Sequence, residues 1–298
     1  MVGIGDDSMT NSELASQAAA GSRRALARLL TLIQDGESES IESVANIENV
    51  KSIGITGPPG VGKSCLTDCL ASFWAGKGER VGVLCIDPSS PITGGSLLGD
   101  RMRMEQSGVD DRIFIRSVAT RSSFGALPFR LKAMISALSL AGMDRILIET
   151  VGVGQTEIGI VSMTDSVLLV DGPDRGDIVQ AEKAGLLELA DVIVVNKGDL
   201  DGAEQAAANI RSGLALGNSE SIPVLVVSAL NKIGIDELIY ALENVQVRSS
   251  VEEIRWRHRL TSALLDQIHS DSKFDSTVND LVEGRIALEQ AIQIILNE

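Results

Sequence analysis

The chain has 298 residues, 44% of them hydrophobic, with 29 glycines, enough for one large domain with terminal elaborations or two modest domains around a substantial core. A formal net charge of −15 repels polyanions at long range, which excludes nonspecific binding to nucleic acid or anionic lipid and requires any bound polyanion to be held by a local site. Three cysteines, no basic leader before an apolar stretch and no apolar run of about 18 residues predict a soluble protein of a reducing, cytoplasmic compartment.

In chain order, "MVGIGDDSMTNS" is small, polar and acidic and reads as a frayed terminus. "SELASQAAAGSRRALARLLTLIQDG" then sets Leu14, Ala18, Leu26, Leu29, Leu30 and Ile33 at helical spacing, interrupted at Gly21, so two helices ending near Gly36 are expected within an N-terminal helical extension, residues 1–48. From Lys51 short apolar runs alternate with helical patterns: "KSIGIT", "RVGVLCID", "RIFIRS", "RILIET", "SVLLVD", "DVIVVNK" and "IPVLVVS". Near-continuous apolar strands separated by helices imply an α/β fold with a mostly parallel sheet between helices, over residues 49–246. The helices are expected near 63–76, 123–142, 178–189, 203–216 and 234–245. From about Val247 the strands stop and three helices follow, making residues 247–298 a C-terminal helical segment. Its apolar stripes, including Ile286, Leu288, Ile292, Ile294, Ile295 and Leu296, either fold back on the core or pair with a second copy, and a homodimer is expected. "RRALAR" and "RWRHR" read as solvated helix faces or intersubunit contacts.

The segment "GPPGVGKS" fits G-x-x-x-x-G-K-[ST] between a strand and a helix, the context that motif needs, so the fold is that of a P-loop NTPase. Its candidate phosphate-binding residues are Gly57, Pro58, Pro59, Gly60, Val61, Gly62, Lys63 and Ser64, with Cys65 next in the helix. The glycines let backbone N–H groups converge on phosphates, Lys63 supplies a point charge, and Ser64 offers a hydroxyl to Mg2+. "NKGD" ends a strand where a ligand should bind. Asp199 can accept from the N1–H and exocyclic amine of guanine, Asn196 can bind the other ring edge or tie the loop down, and the stem of Lys197 can cover the base. In "SAL", Ser228 to Leu230, the Ala229 N–H could meet guanine O6, so GTP and GDP are expected over ATP. Asp87, Asp100 and Glu149 sit at strand ends or the adjoining loop and suit Mg2+ directly or through its waters. In "ETVGVGQTE", Gly152 could meet a γ-phosphate, Val153 cannot orient a water, and Gln155 could do so if the loop turned it inward.

These segments, with "DPSSPITGGSLLGDRMRM" the most specific of them, resemble the ArgK/MeaB family of P-loop GTPases, which includes the methylmalonic aciduria type A protein. The resemblance runs over nearly the whole chain and implies a GTP-hydrolysing chaperone that protects, loads or reactivates an adenosylcobalamin-dependent acyl-CoA mutase, as a homodimer through helical extensions. It implies that Lys63 and Ser64 hold phosphate and Mg2+, that Asp87, Asp100 and Glu149 organise the metal and its waters, and that Asn196 and Asp199 read guanine. It also makes Asp100 and Lys183 a charge-positioning pair for slow hydrolysis that a client accelerates by reordering the loops around Asp100, Gln155, Asp177 and Lys183. Departures from the family pattern fall at Pro91, Ile92, "PDRGD" and "GDIVQ", with Ile178 in an otherwise acidic position.

Three other functions compete: a metal-insertion GTPase, a P-loop kinase or ATPase linked to transport, and a scaffold that binds GTP without turnover. The first usually carries a His-rich run or Cys cluster, absent from this sequence, and the second needs an acceptor pocket and base that no motif marks. Cys65 and Cys69 are expected to be buried small hydrophobes, and His258 and His269 ordinary helix residues.

Overall fold

A computed structural model of the chain describes residues 9–37, 40, 44, 50–88, 110–120, 126–150, 158–159, 162–173, 186–187, 189–216, 222–246 and 248–296. Two helices open it, α1 (Asn11–Ala19) and α2 (Arg23–Asp35). Thr10 caps α1 in a reciprocal box, its Oγ1 accepting from the Glu13 N–H at 3.3 Å while Glu13 Oε2 accepts from the Thr10 N–H at 2.8 Å. Residues 1–8 lie outside the described residues, and for the rest of the first dozen the expectation of fraying is corrected: the chain is helical from Asn11, because Thr10 and Glu13 satisfy each other's backbone donors.

The strands are β1 (Ser52–Thr56), β2 (Val81–Pro88), β3 (Ile113–Thr120), β4 (Arg145–Glu149), β5 (Ser166–Asp171), β6 (Val192–Val195) and β7 (Val224–Val226). They form one seven-stranded sheet in the order β3-β2-β4-β1-β5-β6-β7, parallel at every pairing. The intervening helices are α3 (Lys63–Gly76), α4 (Ala126–Leu140), α5 (Ala203–Leu216) and α6 (Ile235–Glu243). Three more follow, α7 (Ser249–Ser270), α8 (Phe274–Val282) and α9 (Leu288–Leu296).

Burial on both faces explains why the strands read as unbroken apolar runs rather than alternating ones. On one face Leu66, Leu70 and Trp74 of α3 and Leu238 and Ile239 of α6 pack on Ile55, Val83 and Leu168. On the other, Leu14 of α1, Leu26, Leu30 and Ile33 of α2, and Met134 and Leu138 of α4 pack with Leu84, Ile146 and Ile148. The N-terminal helices therefore share the main core.

The tail begins with a buried anchor. Arg255 of α7, 3% exposed, pairs with Asp191 at 2.5 Å and donates to the backbone carbonyls of Asp165 and Leu189. One turn on, Arg259 donates to the Ser162 and Thr164 carbonyls, and Arg248 ahead of the helix reaches the Ala190 carbonyl. The reading of "RWRHR" as solvated faces or intersubunit contacts is thus corrected for Arg255 and Arg259, which satisfy loop carbonyls beside β5 and β6. In "RRALAR" Arg23 is exposed, as expected, while its guanidinium donates to the Asp111 and Ile113 carbonyls and ties α2 to the edge strand β3.

Candidate active site

Parallel pairing brings all strand C-termini to one edge, and the sheet order sorts what they carry. The central strand β1 feeds residues 57–62 into α3. β4 and β2 lie to one side, ending in Glu149 and carrying Asp87, while β6 and β7 lie to the other, leading to Asn196–Asp199 and Ser228–Leu230. The candidate phosphate loop is therefore flanked by carboxylate-bearing strand ends on one side and by the Asn196–Asp199 and Ser228–Leu230 loops on the other.

The glycines are steric requirements. Gly57 has φ 142°, and a Cβ there would lie 1.9 Å from the Val170 carbonyl oxygen of β5. Gly62, at φ 91°, caps α3 in the left-handed region, and a Cβ would meet Asn196 Nδ2 at 2.4 Å. No side chain caps α3, so its first-turn N–H groups and positive dipole end are available to an anion. Lys63 is 6% exposed, and its Nζ donates to the Gly57 and Pro58 carbonyls at 2.8 and 3.0 Å, folded over the loop it would serve.

Ser64 donates its hydroxyl to Glu149 Oε1 at 2.6 Å. A hydroxyl and a carboxylate at hydrogen-bond distance are hard oxygen donors of the kind Mg2+ takes, so this pair fits that ion. Behind it Thr150 Oγ1 donates to Thr56 Oγ1 at 3.1 Å, a buried contact that no motif signals. Asp87 lies on β2 two residues past Cys85, the register partner of Glu149, which puts its backbone at the same edge. Asp100, Gly152, Gln155 and Lys183, like Val153, Asp177 and the departures at 91, 92 and 174–180, lie outside the described residues.

On the base side Asn196 makes contacts of the loop-tying kind. Its Nδ2 donates to the Val61 carbonyl at 2.9 Å and its Oδ1 accepts from the Ala229 N–H at 3.0 Å, so it ties the phosphate loop to the loop after β7. The Ala229 N–H is thereby engaged within the protein rather than left for guanine O6. Asp199 is held by Ser228, whose Oγ donates to Oδ1 at 2.5 Å, and Ser228 Oγ accepts in turn from the Asn231 N–H. Lys197 turns the loop at φ 61°, rare for a residue with a side chain, and Leu230 is 79% exposed.

Cys65 is exposed and Cys69 half-buried, contrary to the expectation of two buried hydrophobes. Cys69 packs at the margin of the core beside Leu66 and Leu70, and its Sγ donates to the Ala229 carbonyl at 3.1 Å. Burial, helped by Asp68, pushes the Cys65 thiol above its ordinary value; burial and then Cys65 push Cys69 up, partly opposed by Lys232. His258 is a half-buried position on α7, and His269 lies on the same helix.

A glycine loop from a central parallel strand, a lysine folded over it and a clamped Asn-Lys-Gly-Asp turn define the class as a P-loop GTPase. The chain belongs to the MeaB family: the model for "Methylmalonyl Co-A mutase-associated GTPase MeaB" matches residues 26–275. A Pyrococcus abyssi protein named as a GTPase is 45% identical over 237 residues, 76% of this chain and 73% of its own. The Escherichia coli GTPase ArgK is 31% identical over 311 residues, 92% of this chain and 93% of its own. A mitochondrial methylmalonic aciduria type A homolog from Caenorhabditis briggsae is 38% identical over 174 residues, 58% of this chain and 42% of its own. Among solved structures, a LAO/AO transport system kinase superposes with TM-score 0.64 at 23% identity, covering 99% of each chain, which bears on the fold.

Proposed function

We propose that this GTPase is a slow molecular switch that assists cofactor loading, protection or reactivation of an adenosylcobalamin-dependent acyl-CoA mutase, acting with Mg2+ as a cytoplasmic homodimer. The observation that carries the reading is the family match over residues 26–275, under a description that itself names methylmalonyl-CoA mutase. The name of the Caenorhabditis briggsae relative points the same way.

In this reading the N–H groups of residues 60–65 and Lys63 Nζ bind the phosphates, Lys63 exchanging its loop carbonyls for the β- and γ-oxygens. Ser64 and Glu149 hold Mg2+ directly or through water, with Asp87 and Asp100 alongside; the ion supplies charge neutralisation at the phosphates. Asp199, set by Ser228, reads the guanine donors, and Lys197 covers the base while Asn196 keeps the phosphate and base loops in register. Gly152 senses the γ-phosphate, and Gln155 with Asp100 and Lys183 positions the attacking water once a client orders those loops.

The kinase alternative draws on a structural likeness at 23% identity, and none of the described residues of the site favours it. The test is affinity capture with a mutase from the same source. The mutase should be retained by the protein loaded with a non-hydrolysable GTP analogue and released on exchange to GDP; equal recovery in both states would refute a nucleotide switch.

A further inference from the structure

The helix that follows the phosphate loop, α3, carries two of the chain's three cysteines; the third, Cys85, is buried in β2. Cys65 lies in the first turn of α3, one residue past Ser64, and is exposed. Cys69 lies one turn further on, half-buried, with its Sγ on the Ala229 carbonyl. Four residues apart on a helix, the two share one face. They are close enough to interact, since Cys65 helps to push the Cys69 thiol up.

The spacing selects the chemistry this pair can do. Cβ atoms four apart on a helix stand about 5–6 Å from each other. A disulfide needs about 3.5–4.5 Å, so closing one would unwind the turn that serves the phosphates. One bridging atom, about 2.3 Å from each sulfur, spans the gap with the helix intact. Zinc takes four ligands, and among the described residues no group of three or more His, Cys, Asp or Glu side chains is placed to hold an ion. Two thiolates alone suit a soft ion content with two ligands, and of the first-row metals that is Cu(I). Mg2+ takes oxygen donors and does not compete for sulfur.

We infer that Cys65 and Cys69 form a two-thiolate site for a single soft monovalent cation, Cu(I) in chemical class, and that its capture opposes nucleotide binding. In the capture step both S–H bonds release their protons to solvent, two Cu–S bonds form, and the copper remains Cu(I), so no electron is transferred. Two neutral thiols that lose two protons and gain one monovalent cation carry one net negative charge. That charge sits beside the first turn of α3, where it repels phosphates, and the Ala229 carbonyl loses the Cys69 S–H donor. The nucleotide coupling rests on the reading of residues 60–65 as the phosphate site; the capture does not.

The test uses the full chain, reduced and kept anaerobic, with Cu(I) exchanged against bicinchoninate. The unmodified chain should take up a single equivalent. Cys65→Ser and Cys69→Ser should each bind at least about a hundredfold more weakly, because a lone thiol loses the gain from two linked ligands. Cys69→Ser, whose hydroxyl can still donate to the Ala229 carbonyl, should keep its GDP affinity, which shows that it is folded. One equivalent of Cu(I) should weaken GDP about tenfold in the unmodified chain and not at all in Cys69→Ser, and GDP should weaken Cu(I) by the same factor. Failure to hold Cu(I) against the competitor, or equal retention by Cys69→Ser, would overturn the site. Capture with GDP affinity unchanged would overturn the coupling. Lys63→Ala then separates the two readings: loss of GDP binding in that variant keeps the phosphate site, and unchanged GDP affinity removes it.

Discussion

Asn196 shows how one side chain can set the geometry of a whole site. It is 3% exposed and spans from the Val61 carbonyl to the Ala229 N–H. Asn196→Ala leaves a buried carbonyl and a buried N–H without those bonds, at about 1–3 kcal/mol each. Thermal denaturation should therefore register a loss of stability, and fluorescent GDP titration a fall in affinity of at least about tenfold, because both loops lose their register. In the proposed reading base choice rests on Asp199: Asp199→Asn should weaken GTP and favour the xanthosine nucleotide in competition binding, and equal affinity of the unmutated protein for ATP and GTP would contradict that assignment. Cys65 gives a third check. Its thiol is held above the ordinary range by burial and Asp68, so less of it is thiolate at a given pH and alkylation requires the thiolate. Iodoacetamide should modify Cys65 more slowly than free cysteine at about pH 8, with a rate still rising at pH values where free cysteine has levelled off. A profile that levels off first would contradict the shift.

At the scale of elements, the buried contact between α7 and the sheet matters most. Replacing Arg255 with Met strands the Asp191 carboxylate, 8% exposed, without its cation; breaking such a pair costs about 3–5 kcal/mol. Chemical denaturation of Arg255→Met should show that loss, while GDP affinity of the folded fraction stays unchanged because the anchor is remote from the phosphate loop. Most elements were legible in the sequence. The helices expected at 63–76 and 203–216 have those bounds, and the one expected at 123–142 is observed at 126–140, because strand and helix periodicities alternate cleanly there. Part of the site was legible too, since the phosphate and base loops each follow a strand. Side-chain choices were not. Nothing in "NKGD" says that Asn196 turns toward Val61, and nothing in "KSCLTDC" says that Cys69 reaches the Ala229 carbonyl, because both depend on partners far away in sequence. The anchor had a visible signal in the spacing of Arg255 and Arg259, four apart on one face, which net acidity made easy to read as solvation.

For the whole molecule, the C-terminal helices leave apolar side chains uncovered: Leu260 is 63% exposed, Val282 80%, Leu288 61%, Ile292 50% and Leu296 57%. Exposed apolar side chains of this kind suit an interaction surface, and the proposed homodimer would bury them. Light scattering should give a dimer at micromolar concentration, and Leu288→Asp/Ile292→Asp should give a monomer with unaltered GDP affinity. Deleting everything after Val247 would be a poor test, since it removes Arg255 and destabilises the sheet edge along with any interface. Positioning and charge stabilisation contribute factors of roughly 10³–10⁵ to phosphoryl transfer, so the proposal that a client orders the water-orienting groups predicts slow turnover by the protein alone. Binding of client and nucleotide must also be reciprocal: a mutase that prefers the GTP form tightens GTP by the same factor. The decisive measurement is GTP turnover by the purified chain, alone and with an adenosylcobalamin-dependent acyl-CoA mutase from the same source. Slow release of phosphate to water that accelerates when the mutase is added is the predicted result; fast turnover alone, or a rate indifferent to the mutase, would contradict it.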